Sequence, residues 1–202
     1  MTTIFLSPSD QTGNKYAVGN TNEAEQCRRI ANAVERRLNE YAEVRVINDQ
    51  TNNMAGRVKH SNSVKADAHI PIHTNATTNG TNDGKVSGTR GFYYNEKSKG
   101  KAIAKAIVNA IGPLTPGYDK ISAYPSLYEI KGAVAPCAYI EVEFHDNPKQ
   151  AQWIIDNANK IGINIADALA RYFNLKLKAP SKRVYTVEVS KSLFDEVHIK
   201  LV

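Results

Sequence analysis

Side chains that can bind a metal ion or transfer a proton are concentrated in three short stretches of the sequence. The first is residues 7–11, followed after a loop by Glu23; the second is residues 69–76, and the third is residues 139–147. Imidazole and carboxylate groups bind zinc and transfer protons near neutral pH. If the fold brings the three stretches together, they predict a metal-assisted or acid–base site.

Two histidines in the second stretch are too far apart to share one ion. His69 and His73 lie on one face of a predicted strand, four residues apart, which separates them by about 13 Å at about 3.3 Å per residue. Zinc–nitrogen bonds are about 2.0–2.1 Å long, so one ion binds only one of them. His73, at the end of the strand, is the better candidate ligand, and His69 is expected to make a buried hydrogen bond.

The acidic candidates differ in how easily an ordinary structural role explains them. Glu23 lies in a predicted first helical turn, where a carboxylate complements the helix dipole without any further function. Glu141 lies between apolar strand residues, and a carboxylate in such a place is uncommon unless it is paired or functional. Glu143 is predicted on the same face about 7 Å away. For both strand glutamates, an ion pair with a lysine is the alternative to a functional role.

Strand-like and helix-like segments alternate along the chain and would position these residues. Asn22 and Glu25 have the spacing of a capping box, which starts a helix after the first loop. Residues 138–144 alternate in polarity, with Ile140 and Phe144 on the apolar face. The predicted strands cover residues 3–7, 43–47, 67–73, 91–94 and 138–144, the predicted helices residues 22–41, 54–64, 101–111 and 147–173, and the predicted loop residues 112–124. This order predicts the α/β class: a single three-layer domain with a central mixed sheet flanked by helices, plus a short C-terminal extension.

The C-terminal extension sets the predicted domain boundaries. Residues 1–174 are predicted to form the catalytic domain, and residues 175–183 a basic, proline-containing linker. Residues 184–202 begin with a strand-like segment, but some twenty residues cannot bury a core alone. They are predicted to be a short arm or the remnant of a second module, and an oligomer formed through this arm is one option.

Composition narrows the classes of partner. The net charge is +6 and the pI is about 9.2, without the dense Lys/Arg clusters of a nucleic-acid-binding protein, so we expect no nucleic-acid partner. The charge indicates a solvated basic surface or attraction to another polyanion, such as a wall carrying teichoic acids. No apolar run approaches the roughly 20 residues of a membrane span, and no membrane insertion is expected.

Cysteine usage and the N-terminal sequence give two further expectations. Cys27 and Cys137 are far apart and lie among apolar residues, which favours buried thiols over a disulfide or a metal site. The first ten residues lack the basic start, apolar core and cleavage site of a signal peptide. We therefore expect synthesis in the cytoplasm without a signal peptide.

The order and spacing of five motifs are more specific than any single residue. They are LSPSDQ, GNTNEAEQCRRIA, DAHIPIHTNA, GTRGFYY and AYIEVEFHDNP. With them, residues 4–173 resemble the zinc-dependent N-acetylmuramoyl-L-alanine amidases of the amidase-3 family, found in bacterial autolysins, spore enzymes and phage endolysins. The resemblance implies an α/β fold, one zinc ion per chain, peptidoglycan as the partner, and hydrolysis of the amide bond between N-acetylmuramic acid and L-alanine. For a chain without a signal peptide, it also implies release to the cell wall by a holin or by lysis.

The resemblance assigns roles to individual positions. Glu23 and His73 match zinc ligands of the family, and Glu141 matches its catalytic glutamate. The carboxylate would remove a proton from the attacking water and return one to the leaving amine. A weaker expectation places three residues in a substrate groove: Asn75, Gly91 and Tyr93.

One motif departs from the family pattern. The family usually has Asp-Pro-Gly-His-Gly after the first strand, and that histidine is the remaining zinc ligand; this chain has Ser7-Pro8-Ser9-Asp10-Gln11. Asp10 takes the position of the histidine in the simplest alignment, and Gln11 is the alternative third ligand. An oxygen-rich ligand set also tolerates manganese or another divalent ion.

Two other functions stay open at this stage. A chain that lost its metal with the histidine would be a cell-wall-binding or regulatory protein on the same fold. A metal-dependent peptidase acting on another substrate would use the same chemistry. The retention of Glu141 favours an enzyme, because a pure binding protein does not need this carboxylate.

Overall fold

The computed structural model describes residues 1–77, 83–115 and 117–179, and the backbone of residues 186–189 and 197–200. The strands are β1 (Thr2–Pro8), β2 (Val44–Asn48), β3 (Ala68–Asn75), β4 (Arg90–Tyr93), β5 (Lys120–Ala123), β6 (Tyr139–Phe144), β7 (Thr186–Val189) and β8 (Val197–Lys200). The helices are α1 (Glu23–Leu38), α2 (Met54–Ser63), α3 (Lys99–Ile111), α4 (Tyr128–Gly132) and α5 (Pro148–Tyr172), with a 3₁₀ turn at Gly112–Leu114.

Six of the described strands form one mixed sheet in the order β2-β1-β3-β6-β4-β5. Neighbouring strands are parallel except for β4, which runs antiparallel to β6. Because β1, β3 and β6 are adjacent and parallel, their carboxyl ends meet at one edge, the usual place for a site in an α/β sheet. The predicted central mixed sheet is confirmed.

Helices cover both faces of this sheet. Helix α1 packs on α5, and α5 packs on α3, over one face. The N-terminus of α1 is capped as predicted, because the Glu25 amide donates to Asn22 Oδ1 over 3.0 Å. The apolar side chains of this layer include Ile4, Leu6, Ile30, Val34, Ile70, Ile72, Ile103, Ile107, Ile140, Val142, Ile154 and Ile165. Helices α2 and α4 contact each other on the opposite face, which gives the predicted three layers.

The α2/α4 face is more aromatic and polar than the α1/α3/α5 face. Phe5 stacks on His69 at 5.3 Å between ring centroids, and its edge contacts His60 of α2. Tyr139 packs with Ile130 of α4 in a small apolar cluster. On this face, an aromatic ring therefore packs against His69, one of the candidate residues of the second stretch.

Strand β6 contains a bulge that the alternating sequence did not indicate. Glu141 lies opposite His73, but Phe144 lies opposite Asn75, so β6 uses one residue more than β3 over this interval. Glu143 accommodates the extra residue with a φ of 51°, in the left-handed region. The predicted strict alternation of residues 138–144 is therefore wrong beyond Val142.

One other local prediction was wrong, and one helix was not predicted. Residues 112–124 were predicted to be loop, yet they contain the 3₁₀ turn and β5, which pairs in parallel with β4. Helix α4 was not predicted at all. Strand β5 has four residues and helix α4 has five. Elements this short show no helical or strand periodicity in the sequence.

The chain returns to the main domain after α5. The Ala42 amide donates to the Lys176 carbonyl and the Lys178 amide to that of Glu40, around an antiparallel bridge of Tyr41 with Leu177. Strands β7 and β8 pair with each other antiparallel. Residues 180–185, where the predicted linker gives way to the predicted arm, lie outside the described residues. None of the helices in the described part of the chain has the length and apolar character of a membrane span.

Candidate active site

His73 and Glu23 form the centre of a polar cluster at the carboxyl ends of β1, β3 and β6. His73 lies near the end of β3, and Glu23 opens α1 above it. Glu23 Oε1 is 2.8 Å from His73 Nδ1, and the two residues are only 1% and 3% exposed. Tyr139 stacks on the imidazole, with 4.5 Å between ring centroids. The structure thus brings together two residues, fifty positions apart, that the family resemblance assigned to one site.

Two amide side chains complete the open side of this cluster. The Gln11 amide nitrogen is 3.4 Å from His73 Nδ1. Asn14 Nδ2 donates to both Gln11 Oε1 and Glu23 Oε2, over 2.9 and 2.6 Å. Because an amide can be turned over to exchange its oxygen and nitrogen, Gln11 can present an oxygen to the same place.

Asp10 makes a different contact. Its Oδ2 accepts a hydrogen bond from Arg57 Nη1 over 3.0 Å, and the Arg57 side chain is fully buried. Arg57 also donates to the Thr51 carbonyl and to Ser7 Oγ. The structure therefore places Gln11, rather than Asp10, beside the Glu23–His73 pair.

Glu129 is a buried carboxylate of this site that sequence reasoning missed. Its Oε1 accepts a hydrogen bond from Ser7 and lies 3.2 Å from His69 Nε2. Its Oε2 lies 3.7 Å from His73 Nε2. The expected buried hydrogen bond of His69 is therefore present. Glu129 was missed because it lies in the unpredicted helix α4; the available signal was a lone acidic residue between Tyr128 and Ile130.

The carboxylates control the protonation of His73. Burial lowers the pKa of His73, but the nearby carboxylates of Glu129, Glu23 and Glu141 outweigh it and raise the pKa to about 10. For the carboxyl group of Glu129, burial has the opposite effect and raises the pKa, but interactions with His69 and His73 bring it down to about 2. The pKa of Glu23 is lowered by His73 despite burial. In the protein without a metal, His73 is a cation between two carboxylates.

Glu141 has the properties of a general base. It lies opposite His73 on β6, and its Oε2 is buried without a hydrogen-bond partner among the described residues. Burial raises its pKa to about 7, with Glu23 adding to the rise and the charge of His73 opposing it. A carboxylate with a pKa near neutrality both accepts and returns a proton at the pH of a cell.

Glu143 is more buried than Glu141, and one of its oxygens serves the backbone. The Gly88 amide donates to its Oε2 over 2.8 Å. Burial raises its pKa from 4.5 to about 7, although the hydrogen bond from Gly88 opposes the rise. The bulge thus gives the two strand glutamates different surroundings.

We expect Glu143→Gln to remove a pH dependence of stability. Because the folded state raises the pKa of Glu143, it binds this proton more tightly than the unfolded chain, and stability falls as the pH rises from about 4.5 to about 7. Glutamine keeps an acceptor for Gly88 but does not titrate. Urea unfolding of the metal-free proteins at pH 5 and pH 8 should show a smaller loss for the variant. Parallel pH dependences in the two proteins would contradict this assignment.

Two of the three expected groove residues face away from the cluster. A Cβ on Gly91 would come within 2.9–3.3 Å of Val108, Ile121 and Ala104, so Gly91 allows β4 to pack closely against α3. Tyr93 is 3% exposed and donates its hydroxyl hydrogen to Glu96. Asn75, in contrast, is partly exposed just beyond His73.

The donor set accommodates a cation only with the help of an amide. Within the ranges that the structure describes, no group of three or more His, Cys, Asp or Glu side chains is arranged to hold a metal ion. Glu23 and His73 supply one carboxylate and one imidazole, and the amide of Gln11 stands at the third position. These residues fit a single divalent ion with one nitrogen and two oxygen ligands.

An α/β sheet with this donor set and a neighbouring general base has the make-up of a metal-assisted hydrolase. The family model described as N-acetylmuramoyl-L-alanine amidase (Amidase_3) matches residues 4–171. The chain therefore belongs to the N-acetylmuramoyl-L-alanine amidase family, which is generally zinc-dependent. The family predicted from the five motifs is confirmed.

Individual relatives agree with this assignment. A germination-specific N-acetylmuramoyl-L-alanine amidase of Bacillus subtilis (strain 168) is 30% identical over 127 residues, which are 61% of this chain and 52% of the relative. The chain thus spans about half the length of this curated relative.

Solved structures share the fold. The catalytic domain of CwlV, an N-acetylmuramoyl-L-alanine amidase from Bacillus (Paenibacillus) polymyxa var. colistinus, superposes with a TM-score of 0.75 at 22% identity, over 87% of this chain and 100% of that domain. An N-acetylmuramoyl-L-alanine amidase from Clostridium difficile 630 gives 0.73 at 20% identity, over 86% and 97%. The catalytic domain of the CD27L endolysin, which targets Clostridia difficile, gives 0.65 at 19% identity, over 85% and 98%.

Proposed function

We propose that this chain is an N-acetylmuramoyl-L-alanine amidase, which hydrolyses the amide bond between N-acetylmuramic acid and L-alanine in peptidoglycan. The family and its curated relative support the reaction and the substrate. The observation that carries the proposal is Glu141: a carboxylate with a pKa near 7 and an unpartnered buried oxygen, opposite a histidine that is paired with a second carboxylate.

We propose one divalent ion per chain, zinc in the first place, held by Glu23 and His73 with Gln11 as the third ligand. Such an ion, when bound, lowers the pKa of a water molecule and polarises a carbonyl group. Manganese is the alternative, because an oxygen-rich set suits harder ions. His73 must release the Nδ1 proton to become a ligand, so binding strengthens as the pH rises.

The remaining chemistry belongs to the protein. Glu141 accepts a proton from the attacking water at its unpartnered Oε2 and later donates it to the leaving nitrogen of L-alanine. Its burial keeps the pKa high enough for this return step. Asn75, partly exposed two residues beyond His73, is placed to contact the substrate. No nucleophilic side chain is required, and both cysteines are buried and free as expected.

Two measurements on the purified protein test the proposal together. Elemental analysis should find about one divalent ion per chain, and digestion of purified peptidoglycan should release new amino termini identified as L-alanine. Cleavage at another amide would instead support the peptidase alternative. Absence of both metal and cleavage after zinc and manganese are added back would support the wall-binding alternative. Release by a holin or by lysis stays a prediction, as does an oligomer.

The third ligand is tested by a pair of substitutions at adjacent positions. We expect Gln11→Ala to weaken zinc binding about 10-fold or more, on the scale of losing one partner of a metal site. Asp10→Asn should leave zinc binding unchanged, because Asp10 contacts Arg57 and asparagine keeps an acceptor there. Competition with a chelator measures both affinities. The reverse order of effects would return the third position to Asp10.

A further inference from the structure

Glu129 has one oxygen that its structural partners use and one that they do not. Oε1 accepts from Ser7 and lies at hydrogen-bond distance from His69 Nε2. Oε2 is buried and has no hydrogen-bond partner among the described residues. A purely structural role in holding His69 would need only the first oxygen, so Oε2 requires another explanation.

A nitrogen of His73 is the candidate partner for Glu129 Oε2. His73 Nε2 is also buried without a hydrogen-bond partner in the described part of the chain, and it lies 3.7 Å from Glu129 Oε2. Two buried polar atoms of complementary type thus face each other at a distance that a shift of less than 1 Å turns into a hydrogen bond. The opposite nitrogen, Nδ1, faces Glu23 at 2.8 Å.

Glu129 is itself fixed by a chain of buried contacts. Arg57 Nε donates to Ser7 Oγ over 2.8 Å, and Ser7 in turn donates to Glu129 Oε1. Arg57, Ser7 and Glu129 are all 0% exposed. The carboxylate therefore has a defined position behind the imidazole, on the side away from the open end of the cluster.

We propose that Glu129 is the positioning residue of the metal site: it accepts the Nε2 hydrogen of His73 and so leaves Nδ1 as the nitrogen that binds the ion. The inference rests on the proposed function, because it assigns a role toward the proposed metal. Histidine ligands commonly donate their second ring hydrogen to a carboxylate, which fixes the ring and its tautomer. Tyr139, stacked on the ring, restrains the remaining rotation.

Three variants separate positioning from a structural role. Glu129→Gln keeps an acceptor of the same size, Glu129→Ala removes it, and Glu143→Ala removes a different buried carboxylate, one that accepts a hydrogen bond from Gly88. We expect zinc affinity, measured against a competing chelator, to fall about 10–100-fold in Glu129→Ala and by less in Glu129→Gln. Glu143→Ala should bind zinc like the unchanged protein even if its melting temperature falls. Equal zinc affinity in all four proteins, or equal losses in Glu143→Ala and Glu129→Ala, would overturn the proposal.

A second measurement keeps this test separate from the proposed amidase activity. In the ¹⁵N spectrum of the histidine rings, Nε2 of His73 should stay protonated when zinc is added, while Nδ1 loses its hydrogen. Deprotonation of Nε2 instead would overturn the assignment. If the unchanged protein bound no zinc, the zinc site of the proposed function would be contradicted. The positioning role would then be decided by the Nε2 hydrogen, whose resonance should shift in Glu129→Ala and stay unchanged in Glu143→Ala.

Discussion

Glu141→Gln is expected to abolish nearly all turnover while the metal stays bound. A positioned general base contributes about 10²- to 10⁴-fold to rate. The rate at which L-alanine amino termini are released should therefore decrease by about that factor. Glutamine matches the shape of the carboxylate but accepts no proton. Elemental analysis of the variant should find the same metal content as in the unchanged protein. Turnover within a few-fold of the unchanged enzyme would exclude Glu141 as the base.

The same strand supplies a matched control for this experiment. Glu143 is two residues further on, is buried, and also has a pKa raised to about 7. Its carboxylate accepts from Gly88, and the β6 residue paired with His73 is Glu141. Glu143→Gln should therefore retain activity at neutral pH. A comparable loss in both variants would indicate damage to β6 instead of removal of a base.

His73→Ala is expected to lose both the metal and the activity. The substitution removes the nitrogen ligand and leaves Glu23 and Glu129 buried without their shared cation. Zinc affinity should fall by more than about 100-fold, beyond what loss of an outer partner costs. Breaking a buried ion pair costs about 3–5 kcal/mol of stability, so His73→Gln, which keeps a polar group, should be measured beside it.

His145 provides the control for His73. It is a buried histidine that stacks on Tyr16 and lies 2.9 Å from the Thr74 hydroxyl. We expect His145→Gln to retain the metal content of the unchanged protein, because glutamine can keep the contact with Thr74. Retention of metal by His73→Ala, with loss in His145→Gln, would move the ligand to the other histidine.

Long-range motif order predicted the centre of the site better than local geometry did. Glu23, His73 and Glu141 come from segments with clear strand or helix patterns, and the parallel order of β1, β3 and β6 brings their ends together. Asp10 and Gln11 show the limit of this approach. They are adjacent in a loop, and alignment by position cannot say which of two neighbouring side chains turns toward His73. A buried arginine 47 residues away settles the orientation of Asp10.

Burial explains the other differences between prediction and structure. Gly91 and Tyr93 belong to a strand whose two faces look alike in sequence, and only the packing of α3 shows that they face the core. Glu129 lies in a five-residue helix with no periodic pattern. The bulge at Glu143 depends on the pairing of β6 with β3, which the sequence of β6 alone does not contain.

The contact between Asp10 and Arg57 constrains how this chain could have evolved. A histidine at position 10, the simplest return to the usual family motif, would face a fully buried arginine and leave it without its anionic partner. The substitution would lose stability before it supplied a ligand. Arg57 would have to change first or at the same time. The two positions are therefore expected to vary together among close relatives, aspartate with arginine and histidine with an uncharged residue.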